Sequence, residues 1–497
     1  MLIGDLLDVA AGALPRRPAV SLLDRSLTFG EVAVATDRTA NALVGLGVRP
    51  GDRVASWTDI GLGSVPLRFA TARLGAVFAP LNPAYTEAEA TATLEYLTPR
   101  LVVADVVHAE AAAAAAHGLP LAVSGSDGRT APGTDFDAAV AAASAAPPEG
   151  PRPGADDDDV IFLTSGSTGR PKGVVLSHRA TLLRAISRNT SPNLGDTGEV
   201  CMFPLFHMAG WHFLERAWAA GRAIHLVPRA DAELLLETVE TWRASSIYCI
   251  PAVWNRIFEC HRTFDTSSLE WVFTGTSLVS AELLATLKER FSGTRTTVNY
   301  GSTEAGPSVS LPDADLFTKI HSVGLPVPGT KARLADDDEL LLSSDWLMSR
   351  YYELPDETAA ALREGWYHTG DLAERDDEGY YWIVGRKREI IRTGGESVAP
   401  VEVEGVLRGY AGLRDVAVAG VADERWGEVV CAFVVTEPGR AAPTVDELRS
   451  HIGDRLAPFK HPRRVVVTEQ LPRTPATGQI QRSVLARLAE EASPGRA

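Results

Sequence analysis

A large α/β domain with helix-covered sheets, followed by a small α+β C-terminal domain, is the architecture the sequence predicts, and three observations predict it. The chain has 497 residues, too long for one core of ordinary size, so two or three domains are expected. Helix, turn and strand signals alternate through most of its length, the pattern of sheets covered by helices. Beyond Gly385 the signals condense into a few helices and apolar strands that make a separable small unit. We expect residues 1–387 to form the large domain and 388–497 the small one.

The elements follow in order. Thr28-Phe29-Gly30-Glu31 has the Thr-x-x-Glu form of a capping box, and the helix it starts runs through Ala33, Ala40 and Leu43 to Gly47. A turn at Pro50-Gly51-Asp52 leads into a strand over 53–56. Helices are expected over 65–74 and 232–244, and strands over 247–250 and 270–274. From 108 to 153 the composition shifts to Ala, Gly, Pro and Ser, which reads as alanine-rich helix and loop. The acidic run 156–159 reads as a solvated turn before a strand rather than a metal site. In the small unit, a helix over 401–407 is followed by strands near 416–421 and 429–435 and a second capping box at Thr444 and Glu447. A strand over 464–467, a terminal helix from Ser483 and a frayed tail over 493–497 complete it.

Composition narrows the function. Apolar residues make up 45% and charged residues 23%, ordinary for a soluble globular chain. A net charge of −16 supplies no basic excess to release phosphate counterions, so no nucleic-acid partner is expected and any anionic ligand must meet a local site. Cys201, Cys249, Cys260 and Cys431 show no metal or disulfide spacing, which fits a reducing cytoplasm. Asp5 and Asp8 interrupt the apolar N-terminus, unlike a signal peptide, and no run approaches the roughly 18 apolar residues of a membrane span.

Residues 164–173, TSGSTGRPKG, lie between the apolar runs 160–163 and 174–176. A buried strand entering such a loop suits phosphate. Glycines including Gly166 and Gly169 let backbone N–H groups turn toward one point, Thr164, Ser165, Ser167 and Thr168 offer hydroxyls, and Lys172 supplies positive charge. A Ser/Gly-rich surface turn is the alternative. The loop is not a Walker P-loop, because Pro171 precedes the lysine and a second apolar run, not a helix, follows.

Four further segments stand in order behind it: Pro204 to Gly210 (PLFHMAG), Asn299 to Glu304 (NYGSTE), Tyr367 to Asp371 (YHTGD) and Gly385 to Glu389 (GRKRE). With the loop, and with the Phe78 to Pro83 segment (FAPLNP), they resemble the adenylate-forming superfamily of acyl-CoA synthetases, peptide-synthetase adenylation domains and luciferases, over most of the chain. The resemblance implies that the loop holds phosphate and that Gly275, Thr276 and Ser277 line the adenine site. It also implies that, within the Asn299-Tyr300-Gly301 stretch, Tyr300 packs on adenine, that Thr303 bonds the α-phosphate and that Glu304 holds Mg²⁺. Magnesium favours carboxylate and phosphate oxygens, and a polyphosphate needs its charge neutralised before attack. Asp371 would accept the ribose hydroxyls, Arg386 would contact the ribose, and Arg388 falls at the hinge on which a mobile small domain turns. Lys387 and Glu389 read as an exposed charged turn. His207 would border the acyl pocket, its alternative being a packed core residue, and Trp211, Ser302 and Ser308 would lie near the same pocket with Gly275. The glycines at 394 and 395 would approach a ligand channel wide enough for a thiol arm.

One position departs from the pattern. Residues 472–480 resemble the C-terminal loop whose lysine follows a glycine, yet Gln479 follows Gly478 here. That lysine bridges the substrate carboxylate and the α-phosphate in relatives. A neutral amide still donates hydrogen bonds, but charge-assisted bonds are about twice as strong, so impaired adenylation is expected. Lys460 is no substitute, since relatives carry a lysine there as well. The implied activity is that of an ATP-dependent, AMP-forming ligase that converts a small carboxylic acid to its adenylate and passes it to coenzyme A. The alternatives are transfer to a carrier protein or a non-thiol acceptor, activation of an unusual oxyacid, or adenylate binding without catalysis.

Overall fold

The computed structural model describes residues 1–126, 130–164, 171–187, 197–394, 396–423, 425–474 and 478–491. The tail at 493–497 and the loop at 165–170 lie outside them. Among the described residues the strands form four sheets. A nine-stranded sheet has parallel strands at its centre, with Ser246–Tyr248, Trp271–Gly275 and Arg295–Ser302 as successive neighbours. An eight-stranded sheet contains the parallel strands Arg53–Trp57, Val77–Pro80 and Leu101–Asp105, and continues through the antiparallel pair Asp158–Thr164 and Lys172–Ser177 to the edge strand Arg350–Tyr351. Helices such as Phe29–Gly45 and Ser64–Leu74 cover these sheets and bury one apolar cluster between them. A third sheet carries Trp366–Arg375 against Tyr381–Arg386. The fourth, built on Leu413–Asp423 and Gly427–Thr436, has its own apolar clusters on its two faces.

The capping boxes form as read. The Thr28 hydroxyl accepts from the Glu31 N–H at 3.2 Å while the Glu31 carboxylate accepts the Thr28 N–H at 2.8 Å, and Thr444 and Glu447 repeat the exchange. Helices Pro400–Leu407 and Arg482–Glu491 and strand Arg464–Val467 stand within a residue of expectation. Expected strand 247–250 is shorter, Ser246–Tyr248, because Pro251 opens the helix Pro251–Phe258 and Ile250 is its N-cap. The alanine-rich region holds helix Ala109–Ala115 and also Phe136–Ala142. It adds two strands, Leu121–Ser124 and Thr134–Asp135, at the edge of the eight-stranded sheet. No helix among the described residues is long and apolar enough to cross a membrane.

The acidic run is not one solvated turn. Asp156 is exposed and pairs with Arg179 at 2.7 Å, but Asp159 is 0% exposed and takes both Nη1 and Nη2 of Arg68, at 2.8 and 2.5 Å. Arg68 is equally buried and also meets Glu215 at 3.3 Å. Its helix reads as apolar in sequence, which hides the buried cation that makes an inward Asp159 tenable. Two carboxyl groups share one guanidinium. Burial drives the Glu215 carboxyl up to about 8 against the pull of Arg68, while Arg68 keeps Asp159 below the usual carboxylate range despite burial.

Candidate active site

The C-terminal end of the strand Trp271–Gly275 opens into a cleft of about 2730 Å³. Gly275 has φ +146°, and an added Cβ would lie 2.0 Å from the Asn299 carbonyl, so only glycine lets the two backbones approach here. Thr276 follows in the left-handed region at φ +68°. Such a conformation is uncommon for a β-branched residue and marks a constrained turn. Thr276 and Ser277 line the cleft, as do Asn299, Tyr300, Gly301, Ser302, Thr303 and Glu304 from the neighbouring strand and the turn after it.

Opposite them stand Asp371 and Arg386, cross-strand partners in the third sheet. The Tyr300 hydroxyl donates to Asp371 Oδ2 at 2.5 Å, and Arg386 Nε lies 2.8 Å from Oδ1. Both carboxylate oxygens are thus oriented by a neighbour. Burial and the adjacent Asp371 charge push the Tyr300 hydroxyl well above its ordinary range, so it stays a donor. Burial opposes the Arg386 charge, yet Asp371 and Glu389 outweigh it and raise the guanidinium above its usual value.

Thr303 and Glu304 are held from behind. Arg184 donates to the Thr303 carbonyl, the Glu304 carbonyl and the Trp346 carbonyl, each at 2.9 Å. It is fully buried, and that burial lowers its guanidinium to about 9, partly offset by Glu304 and Glu215. The Glu304 carboxylate accepts from the Tyr351 hydroxyl at 3.0 Å and has no cation in salt-bridge range among the described residues. A carboxylate facing a cleft with unused oxygen lone pairs fits Mg²⁺, which takes one or two protein carboxylates and fills its remaining positions with water and phosphate. Lys172 lies over the Tyr351 ring, 5.0 Å from its centre, and Thr164 donates to the Lys172 carbonyl at 3.3 Å. Ser165, Gly166, Ser167, Thr168 and Gly169 fall outside the described residues.

The small unit closes one side. Gln479 Nε2 donates to the Thr276 carbonyl at 3.3 Å, and its backbone is pinned to Thr474 by two bonds of 2.8 and 3.0 Å. Arg473 ties this loop to Asp415 at 2.8 Å. Lys460 is paired with Glu402 and does not line the cleft. Arg388 lines it, in the short 3₁₀ turn Lys387–Glu389. The flanking charges are not simply exposed: Lys387 meets Glu339 at 2.8 Å, and Glu389 meets Arg482 at 2.8 Å. Both are tethered, because their turn is wedged between the third and fourth sheets.

The remaining pocket residues separate. His207 caps the helix Met208–Ala219 by accepting the Ala209 N–H at 3.2 Å, and it lines the cleft. Burial drives its ring down to about 4, so it is neutral at physiological pH. Ser302 lines the cleft. Trp211 and Ser308 do not: each is 1% exposed, Trp211 packed edge-on against Phe78 and Ser308 bonded to the Gly306 carbonyl. Gly275 lies just behind the Thr276 wall. Arg184, Tyr351 and Arg216 sit in segments without a motif, so no sequence signal marks them.

Residues 7–352 match the AMP-binding enzyme family and residues 402–477 the AMP-binding enzyme C-terminal domain. A feruloyl-CoA synthase of Amycolatopsis sp is 35% identical over 94% of each chain, and an indoleacetate–CoA ligase of Aromatoleum aromaticum 31% identical over 97% of each. Among solved structures, ATP-bound MatB from Rhodopseudomonas palustris superposes with a TM-score of 0.89, 27% identity and 99% coverage of both chains. The anthranilate CoA ligase AuaEII with anthranoyl-AMP gives 0.88 at 25% identity, over 98% of this chain and 97% of that one. The fold class and the resemblance read from the motifs are therefore borne out, and the chain belongs to the AMP-binding enzyme family of adenylate-forming ligases.

Proposed function

We propose that this protein is an AMP-forming acid–CoA ligase. The observation that carries the reading is that Tyr300, Thr303, Glu304, Asp371, Arg386 and Gln479, scattered over 180 positions of sequence, face one cleft between the large and small units. In the first step the acid carboxylate attacks the α-phosphorus of ATP, giving acyl-AMP and pyrophosphate. In the second, a coenzyme A thiol attacks the acyl carbonyl, and AMP leaves with the electron pair of the broken C–O bond. Asp371 is the acceptor for the ribose hydroxyls, oriented by Tyr300 and Arg386. Thr303 and Lys172 donate to phosphate oxygens, and Glu304 holds Mg²⁺, which supplies charge neutralisation of the polyphosphate when bound. Residues 165–169 supply hydroxyl and backbone donors for phosphate, and Arg388 is the hinge between residues 1–387 and 388–497. With His207 neutral, the acid carboxylate is met by hydrogen-bond donors, Gln479 among them.

Gln479 favours a second reading. Its amide is already engaged at Thr276, and no lysine stands beside it in that loop. A ligase with a weakened first step, passing its adenylate to a carrier protein or a non-thiol acceptor, accounts for that substitution too. Calorimetry with ATP, AMP and a non-hydrolysable acyl-sulfamoyl adenylate tests the shared part of both readings. Micromolar binding of the adenylate mimic is expected, and failure to bind any of the three removes both.

A further inference from the structure

Strand Arg350–Tyr351 runs along the edge of the sheet beside Lys172–Ser177, with Tyr351 opposite Val174. Side chains alternate along a strand, so Lys172, two positions before Val174, shares its face and becomes the diagonal neighbour of Tyr351. The Lys172 ammonium accordingly lies 5.0 Å from the centre of the Tyr351 ring. The hydroxyl of the same residue donates to Glu304 Oε1 at 3.0 Å. The edge strand is fixed where this requires it. Arg350 binds both oxygens of Asp158, at 2.8 and 2.5 Å, the Tyr351 N–H donates to Thr358 Oγ1 at 2.9 Å, and the Tyr352 N–H donates to the Gly173 carbonyl at 2.7 Å. Lys172, Glu304 and Tyr351 all line the cleft. A lysine and a glutamate on one cleft wall attract each other. Among the described residues the two nonetheless form no ion pair: Lys172 has the Tyr351 ring and Glu304 the Tyr351 hydroxyl.

We propose, building on the ligase reading, that Tyr351 is a positioning residue that keeps Lys172 and Glu304 apart, so that the ammonium stays available to phosphate oxygens and the carboxylate to Mg²⁺. A direct pair would neutralise both groups before the nucleotide arrives, and the nucleotide would then have to break it. A ring face holds an ammonium more weakly than a phosphate oxyanion does, so the exchange is easy. The hydroxyl occupies one carboxylate oxygen and leaves the other for the cation. Packing at a sheet edge asks only for an apolar body. A ring against the ammonium with a hydroxyl on the carboxylate is what a spacer needs.

The test has two arms. Calorimetry measures the binding of MgATP, and of ATP in excess EDTA, to the wild type, Tyr351→Phe and Tyr351→Leu. Tyr351→Phe keeps the ring and loses the hydroxyl, so MgATP is expected to bind about tenfold more weakly and metal-free ATP within about twofold of the wild type. Tyr351→Leu lets the pair form, so both forms of ATP should bind about threefold more weakly or worse. Adding Glu304→Gln to Tyr351→Leu releases Lys172, and affinity for metal-free ATP should then rise about threefold more than the same substitution gives in the wild-type background. The second arm needs no nucleotide. Urea denaturation of Lys172→Met, Glu304→Gln and their combination should show additive stabilities in the wild type and in Tyr351→Phe, and non-additive ones in Tyr351→Leu. Tyr351→Met, longer and more adaptable, takes the place of Tyr351→Leu if that variant does not fold. Additive stabilities in Tyr351→Leu, an equal gain from Glu304→Gln in both backgrounds, or equal weakening of both forms of ATP in Tyr351→Phe overturns the assignment. A packing role alone gives the losses of Tyr351→Leu without the rescue. If no form of ATP binds the wild type while coupling between positions 172 and 304 appears in Tyr351→Leu alone, the spacer role stands and the ligase reading fails. Coupling already present in the wild type overturns the assignment alone.

Discussion

The side-chain amide of Gln479 donates to the carbonyl of Thr276, 203 positions away, at 3.3 Å. This contact places the tip of the small unit's loop on the wall that also carries Ser277 and Asn299. The side chain that meets this wall is a neutral donor. Gln479→Lys is expected to raise the adenylation step by roughly 10², the scale of one preorganised transition-state contact. Thioester formation from supplied acyl-AMP should change less than about threefold. Pyrophosphate release and acyl transfer, followed separately, check this; a fall in adenylation on introducing lysine contradicts it and favours the second reading.

Asp371 and Glu304 should fail differently. Asp371→Ala removes the acceptor that Tyr300 and Arg386 orient, so ATP affinity is expected to drop by about tenfold or more, with little change in magnesium dependence. Glu304→Ala leaves the ribose side intact and should shift the magnesium requirement upward. Titrating magnesium and ATP independently in both variants separates the two effects.

Arg184 does not line the cleft, yet it satisfies three carbonyls, two of them on Thr303 and Glu304. Arg184→Met leaves those acceptors buried, at about 1–3 kcal/mol each, and also removes a costly buried charge. A net loss of about 2–4 kcal/mol in urea denaturation is expected. Displacement of the Thr303–Glu304 turn should lower kcat by about 10², with a smaller change in KM for ATP.

Glu215 gives a pH signature. A carboxyl at about 8 in the folded protein, against an ordinary value of 4.5, binds a proton that the unfolded chain has lost between those two pH values. Its contribution therefore falls as pH rises from about 4.5 to 8 and is level above. Glu215→Gln mimics the protonated form, so it should match the wild type at about pH 4, exceed it in stability at pH 6 and exceed it by more at pH 9. Asp159 has the opposite sign: its depressed value contributes stability above the ordinary carboxylate range, lost as pH falls through the folded value. Asp159→Asn should destabilise strongly at pH 7. Denaturation curves at three pH values decide both.

Arg388→Pro fixes φ in the turn between the third and fourth sheets. Adenylation and thioester formation should then diverge, one retained and the other reduced by at least about tenfold. Equal, near-normal rates for both would remove Arg388 from the hinge role.

Local signals carried the fold and the polar site furthest. Capping boxes at Thr28 and Thr444 announced their helices because the bonds involved span three residues. The Asn299–Glu304 and Tyr367–Asp371 motifs were readable because their roles need fixed residue types at fixed spacing. Arg184, Arg216 and Asp159 were not readable, since each acts through a partner from a distant strand or helix: Thr303, Glu199 and Arg68. A lone arginine in an apolar helix gives no periodicity signal that separates a buried cation from a surface one. The edge strands Leu121–Ser124 and Thr134–Asp135 escaped for a related reason. They are too short to show alternation, and pairing with the sheet defines them.

The most direct test of the account is a product balance. The protein is incubated with ATP, magnesium, coenzyme A and a panel of small carboxylic acids, and AMP, pyrophosphate and acyl thioester are quantified together. The account predicts all three in equal amounts for at least one acid of the panel, none without coenzyme A beyond a single stoichiometric adenylate, and a faster first step in Gln479→Lys. Formation of ADP in place of AMP, or AMP release with no thioester for any acid in either form of the protein, would contradict it.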